Sequence, residues 1–179
     1  MSQSATSSSG SRLAPRMARM WRHWRSTAAK GRRAFPPETL DAIGKAITAG
    51  EQTHRSELRL IVEHAMPFDA LWAGMGIRER AIALFAEYGI WDTEDNCGVL
   101  IYVNLAEHRV EIVTDRNVGR KIDNIVWKRL CALMTQGFAQ GQFHAATLAA
   151  LEQVNALLAE HFPAKGARAN ELPDRPIML

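Results

Sequence analysis

The chain has 179 residues, of which 47% are hydrophobic and 23% charged, and its two cysteines, Cys97 and Cys131, are too few for a disulfide framework. One globular domain with a tail is expected. No apolar run approaches the roughly 18–20 residues that span a bilayer, and no apolar core of a secretory signal follows the early positive charges. The net charge of +3 is uneven: residues 1–35 hold eight Lys and Arg and no acid, leaving 14 basic against all 19 acidic groups, a net of −5, in the remainder. The basic balance therefore belongs to the leading segment, and the globular part is not read as a nucleic-acid binder.

Residues 1–11, "MSQSATSSSGS", are Ser-rich and are expected to be disordered. In the next segment Leu13, Met17, Met20, Trp21 and Trp24 recur on one helical face, and Arg12, Arg16, Arg19, Arg22 and Arg25 cover much of the rest. Such a basic amphipathic arm either lies on an anionic membrane or partner surface, through Trp21, Trp24, Arg16, Arg19 and Arg22, or docks on its own domain. Met1, Met17 and Met20 are all candidate translation starts. The first domain helix is predicted over "FPPETLDAIGKAITAGEQTH", with Pro37 and Glu38 in its first turn, an apolar stripe of Leu40, Ile43 and Ile47, and Gly50 near its end.

"SELRLIVEH" alternates, so Leu58, Leu60 and Val62 should form the more buried face of a strand, with Glu57, Arg59, Ile61 and Glu63 opposite. Pro67 marks a connection. A helix follows with Ile77, Ala81, Leu84, Phe85 and Tyr88 inward, closed by Gly89 in a left-handed cap with Ile90 folding back. "GVLIYV" is a continuous apolar run, as expected of a central strand covered on both sides. "NLAEH" turns, and "RVEIVTD" returns as its hairpin partner. Two helices should finish the domain. The first buries Ile122, Ile125, Val126, Leu130, Leu133, Met134 and Phe138, and the second Leu148, Leu151, Val154 and Leu158. The expected domains are a leader and arm over 1–35, a globular unit over 36–162 and a flexible tail over 163–179. Strands separated by helices predict an α/β fold with helices on both faces of a sheet.

The chemistry-bearing residues gather around the hairpin. Asp95 and Asn96 precede its first strand and Asp115 ends its second, so all three should share one sheet edge. Carboxylates, amides and main-chain carbonyls are the oxygens that Ca²⁺ or Mg²⁺ takes. Ligands of open α/β sheets sit at strand ends, usually the carboxyl ends, where Asp115, Glu63 and His64 are all placed. The bland reading of "DTEDN" is a solvated loop, and Glu57 with "THRS" reads equally as a surface strand end. The six histidines form no HxH or HExxH pattern, and no GxSxG elbow or phosphate loop is present. No catalytic residue is assigned. Cys97 reads as a small buried residue.

"SELRLIVE", "DNCGVLIYVNLAEHRVEIVTDRNVG" and "FAQGQFHAATLAALEQV", in that order, resemble the TPM domain family over about residues 38–162. That resemblance implies a three-layer α/β/α sandwich with a small mixed sheet. It further implies an acidic cleft at one sheet end, with Asp95, Asn96, Asp115 and Glu57 as ligands of a divalent cation, Ca²⁺ or Mg²⁺. Some relatives are associated with phosphatase activity and others are secreted or membrane-anchored, from which a partner in a membrane or envelope complex is expected. The resemblance thus points to a cytoplasmic or membrane-peripheral binding module, with a weak metal-assisted phosphatase as the alternative. Departures are Ser56 where Gly is common, Cys97 before "GVL", and Arg116, which is expected to pair with Asp115 and weaken a cation site.

Overall fold

The computed structural model describes residues 10–166 and 170–179. Residues 1–9 of the Ser-rich leader lie outside them, and a helix has already begun at Gly10. In chain order come α1 (Gly10–Arg25), α2 (Ala28–Ala34), α3 (Pro37–Glu51), β1 (Glu57–Glu63), α4 (Phe68–Trp72), α5 (Ile77–Glu87), β2 (Gly98–Asn104), β3 (Arg109–Thr114), α6 (Arg116–Lys121), α7 (Asn124–Ala139), α8 (Phe143–His161) and β4 (Ile177–Met178).

The sheet order is β3-β2-β1-β4. β2 runs parallel to β1 and antiparallel to β3, and β4 is parallel to β1. Side chains alternate across this mixed sheet. Leu58, Leu60, Val62, Val99, Ile101, Val103, Val110 and Ile112 pack in one core with residues of α3, α7 and α8. Ile61, Leu100, Tyr102 and Val113 pack in a second core with Ala81, Leu84 and Phe85 of α5. The result is the expected three-layer α/β/α sandwich.

α5 ends as the sequence predicts. Gly89 has φ +63°, its amide donates to the Ala86 carbonyl at 3.1 Å, and the Ile90 amide reaches back to Phe85 at 3.0 Å. Both bonds satisfy carbonyls that the helix end leaves unpaired.

Several elements differ from expectation, each for a packing reason. β1 is buried on both faces, because β2 and β4 flank it and α5 covers its second face. Its charged residue there, Glu63, is 1% exposed; it accepts from Arg80 at 2.7 Å and from the Tyr102 hydroxyl, beside Asn104. α7 buries Trp127, Leu130, Met134 and Phe138, while Ile125 and Leu133 face solvent. Trp127 supplies the residue that makes this an i, i+3, i+7, i+11 stripe. The connection at Pro67 contains the short helix α4. The expected flexible tail instead returns to the sheet at its far end. Ile177 and Met178 pair with Ile61 and Val62, and Leu172, Ile177 and Leu179 pack on the second core. Edge-strand pairing with β1 supplies the order that the tail's own composition does not.

α1 also docks differently. Met17, Trp21 and Trp24 are exposed, and His23 is the buried contact. The His23 ring lies 3.0 Å from a Glu107 carboxylate oxygen and accepts from the Met66 amide at 3.0 Å, while Arg19 also pairs with Glu107. Burial opposes ionisation of Glu107, but Arg19 and His23 outweigh it and hold its carboxyl below the ordinary range. The polar stripe of α1 thus faces the domain, and the tryptophans keep most of their surface exposed.

Candidate functional site

The starts of β1 and β2 and the end of β3 meet at one edge of the sheet. Glu57 pairs with Gly98, and the Asp115 amide donates to the Gly98 carbonyl at 2.8 Å. Asp95, Asn96 and Asp115 therefore come to the same edge as Glu57, as the hairpin requires. Glu63 and His64 close β1 at the opposite end, since β3 runs against β1 and β2.

The loop before β2 is a built turn. Asn96 sits at φ +51°, its amide bonded to the Thr93 carbonyl at 3.0 Å. The Thr93 hydroxyl accepts from the Cys97 amide at 3.0 Å. Asn117 of α6 donates to the Asp95 carbonyl, which ties this loop to the end of β3. Asn is among the residues that best tolerate the left-handed region, so the "DN" pair has a conformational role.

The four expected ligands divide into two pairs. Glu57 and Asp95 line a cleft of about 580 Å³ together with Thr48, Glu51, His54, Arg55, Glu94, Lys165 and Asp174. Asn96 and Asp115 stand outside its lining. Asp115 is a helix cap: one carboxylate oxygen accepts from the Arg116 amide at 2.6 Å, at the positive end of α6. Its other oxygen is buried without a hydrogen-bond partner among the described residues. Arg116 approaches Asp115 through its backbone amide, and its side chain is exposed. The cation that meets the acidic edge is instead Arg55, whose Nη1 lies 3.5 Å from Asp95.

Among the described residues no group of three or more His, Cys, Asp or Glu side chains is arranged to hold a metal ion. The donor set is that of an open cleft with spaced carboxylates, and it fits a hydrated ion held through one or two of them better than a closed cage.

Glu51 and Asp174 were not legible as site residues. Glu51 closes α3, and its carboxylate accepts from the Leu58 amide at 2.8 Å. Burial pushes its pKa up to about 8; the Leu58 bond opposes this, and Glu57 and Asp174 add to it. Asp174 comes from the returning tail and accepts from Thr48 of α3. Burial also holds the His54 imidazole below its ordinary value, against the contacts with Asn155 and Ser56.

Glu51 makes stability fall with rising pH. Its folded pKa is raised, so its stabilising contribution is complete below the ordinary value of 4.5 and is lost as pH climbs towards about 8. Glu51→Gln keeps an acceptor for Leu58 and removes the titration. The variant should match the parent near pH 5 and exceed it by about 1–2 kcal/mol near pH 8.5, a figure reduced for partial solvent screening. Urea midpoints at the two pH values test this, and a difference that does not grow with pH contradicts it.

A profile of the TPM domain matches residues 31–157. The NMR structure of the BA42 protein from the psychrophilic bacterium Bizionia argentinensis superposes with a TM-score of 0.69 at 25% identity, covering 79% of this chain and 92% of that one. No curated protein matches the chain.

Proposed function

The chain belongs to the TPM domain family, and on that footing we propose that it is a binding module. Its acidic cleft takes up a hydrated Ca²⁺ or Mg²⁺ ion, or the basic segment of a partner, beside a membrane or envelope protein complex. The observation that carries this reading is the convergence of Glu51, Glu57, Glu94, Asp95 and Asp174 on one cleft. Glu57, Glu94, Asp95 and Asp174 outnumber Arg55 and Lys165 in the lining, and that acidic excess draws cations; Glu51, with its pKa raised to about 8, adds its charge only at alkaline pH. Arg55 is the internal competitor, held against Asp95 until a cation displaces it.

Thermal unfolding tests the proposal. An ion that binds only the folded chain with a dissociation constant of about 1 mM adds roughly 1.4 kcal/mol at about 10 mM. The Tm should therefore rise with Ca²⁺ or Mg²⁺, the rise should vanish in Asp95→Ala, and it should grow in Arg55→Gln. An unchanged Tm with both ions removes the cation reading. Binding of a lysine-rich peptide by the same cleft would then identify a partner site. Turnover of a generic phosphoester that disappears in Asp95→Ala would favour the weak metal-assisted phosphatase.

The peripheral part of the proposal is supported by α1. Trp21 and Trp24 are 56% and 73% exposed, with ring centroids 4.8 Å apart, among Arg16, Arg22 and Arg25. Exposed indoles beside arginines suit the interface of an anionic bilayer. Among the described residues no helix is long and apolar enough to cross a membrane, so surface contact is the mode proposed. Vesicles rich in phosphatidylglycerol should co-sediment the full chain and lose it in a Trp21→Ala/Trp24→Ala double variant. Equal sedimentation of both proteins contradicts a surface role for the indoles.

A further inference from the structure

A second cavity lies at the other end of the sheet. It measures about 370 Å³, within the range of small-molecule sites. Its apolar lining comes from Trp21, Ala34, Leu105, Ala106, Phe138 and Phe143. Arg22, Arg25, Lys30 and His108 also line it, and among the described residues no carboxylate does. The residues that follow β2 form one wall, so this pocket occupies the carboxyl end of a parallel strand pair, the usual ligand position in open α/β sheets. The acidic cleft is at the opposite end.

The walls are fixed by specific contacts. Phe138 and Phe143 stack at 5.0 Å between centroids, and Phe35 meets both edge-on at 5.9 and 5.7 Å. α1 is pinned by buried His23, and the Ser26 hydroxyl donates to the His64 carbonyl. Gly31 brings α2 close against the sheet end; a Cβ there would meet His64 at 3.4 Å and Leu105 at 3.8 Å. Among the described residues Arg25 and Lys30 have no carboxylate within ion-pair distance, whereas Arg22 leans towards Glu107 at 3.4 Å. The pocket therefore combines an aromatic floor with uncompensated positive charge at its rim.

We propose that this pocket binds a single-chain organic monoanion of the medium-chain fatty-acid type. The chain lies against Phe138 and Phe143, and the carboxylate meets Arg25 and Lys30. Burial of the apolar chain supplies most of the attraction, and the cationic rim selects the sign of the head group. This inference rests on the pocket alone and stands apart from the cleft reading.

Laurate below its micelle concentration is the probe, with dodecylammonium as the isosteric cation. Calorimetry on the full chain should show saturable one-to-one laurate binding, and dodecylammonium should bind at least about tenfold more weakly. The exposed double reversal Arg25→Glu/Lys30→Glu should lose laurate by at least about tenfold and gain dodecylammonium. Amide shifts on laurate addition should centre on Leu105, Phe138 and Phe143. Absent saturation, equal affinity for the two heads, or shifts confined to other regions overturns the proposal. Phosphatidylglycerol vesicles distinguish the source of the acyl chain. Binding to vesicles with none to laurate also overturns it, because the arm would then be a surface binder without a pocket. Saturable laurate binding with or without vesicle binding supports it.

Discussion

Glu63→Ala is expected to destabilise the chain by about 3–5 kcal/mol, a large part of the 5–15 kcal/mol typical of a folded domain. Glu63 is 1% exposed and sits where β1, β2 and α5 meet. Arg80 donates to it twice, at 2.7 and 3.1 Å, and the Tyr102 hydroxyl donates to its other oxygen. Burial first, and Glu63 second, push the Tyr102 phenol far above its ordinary range, so its proton is firmly held for that bond. Removing the carboxylate leaves the buried Tyr102 hydroxyl without its acceptor and a largely buried guanidinium with only the long 4.0 Å pair to exposed Glu87, and that desolvation is what makes the loss large. The loss should appear as a lower urea midpoint with an unchanged slope. Glu63→Leu/Arg80→Met removes both charges and should recover the part of the loss due to the stranded guanidinium, since an apolar pair of similar volume replaces a buried ion pair at little penalty, while the Tyr102 hydroxyl still lacks its acceptor. A single-variant loss below about 1 kcal/mol would show that water reaches the network and satisfies Arg80.

That network also marks the limit of reading this chain as a string. Alternation in "SELRLIVEH" assigned Leu58, Leu60 and Val62 to a core, and they are there. The same alternation placed Glu57, Arg59 and Glu63 on a more open face. Burial of Glu63 depends on Arg80, Tyr102 and Asn104, which lie 17 to 41 residues from it in sequence, and that of Glu57 on the Leu172 amide of a tail whose return to the sheet no local pattern encodes. Helix caps were legible where chemistry is local: Gly89 needs its positive φ within a few residues of the helix it ends. The acidic edge was half legible for the same reason. The hairpin brings Asp95 to Asp115 by local geometry, but the cleft gains Glu51 from the end of α3 and Asp174 from the tail, through contacts between distant segments. Arg116 adjoined Asp115 in sequence and looked like its partner. In three dimensions the backbone of Arg116 caps with Asp115, and Arg55 meets Asp95 across the edge. The aromatic stripe of α1 had two readings, and packing chose its polar face because Glu107 and the Met66 amide offered buried partners to His23.

Gly98→Ala should lower stability by more than about 3 kcal/mol, because its clash is with backbone on a path that cannot yield locally. A Cβ at Gly98 would stand 1.8 Å from the Ile90 carbonyl oxygen and 3.0 Å from its carbonyl carbon. Ile90 is itself fixed by the bond to Phe85 that closes α5. β2 is fixed by pairing on both sides, so either the helix end or the central strand must move. Gly89→Ala provides the contrast. Among the described residues nothing beyond its own chain neighbours lies within 4 Å of the added Cβ, but φ is +63°, so only the left-handed conformation is penalised, at about 1 kcal/mol. Guanidinium unfolding should therefore separate two neighbouring glycines by cause: steric overlap at Gly98 and backbone preference at Gly89. The cleft supplies a second readout. Any shift of Ile90 against Gly98 displaces the loop that carries Asp95 relative to Glu57, so Gly98→Ala should also lose the cation-dependent rise in Tm while Gly89→Ala keeps it. Comparable losses for the two variants would mean that the approach of Ile90 to Gly98 does not hold the acidic edge together.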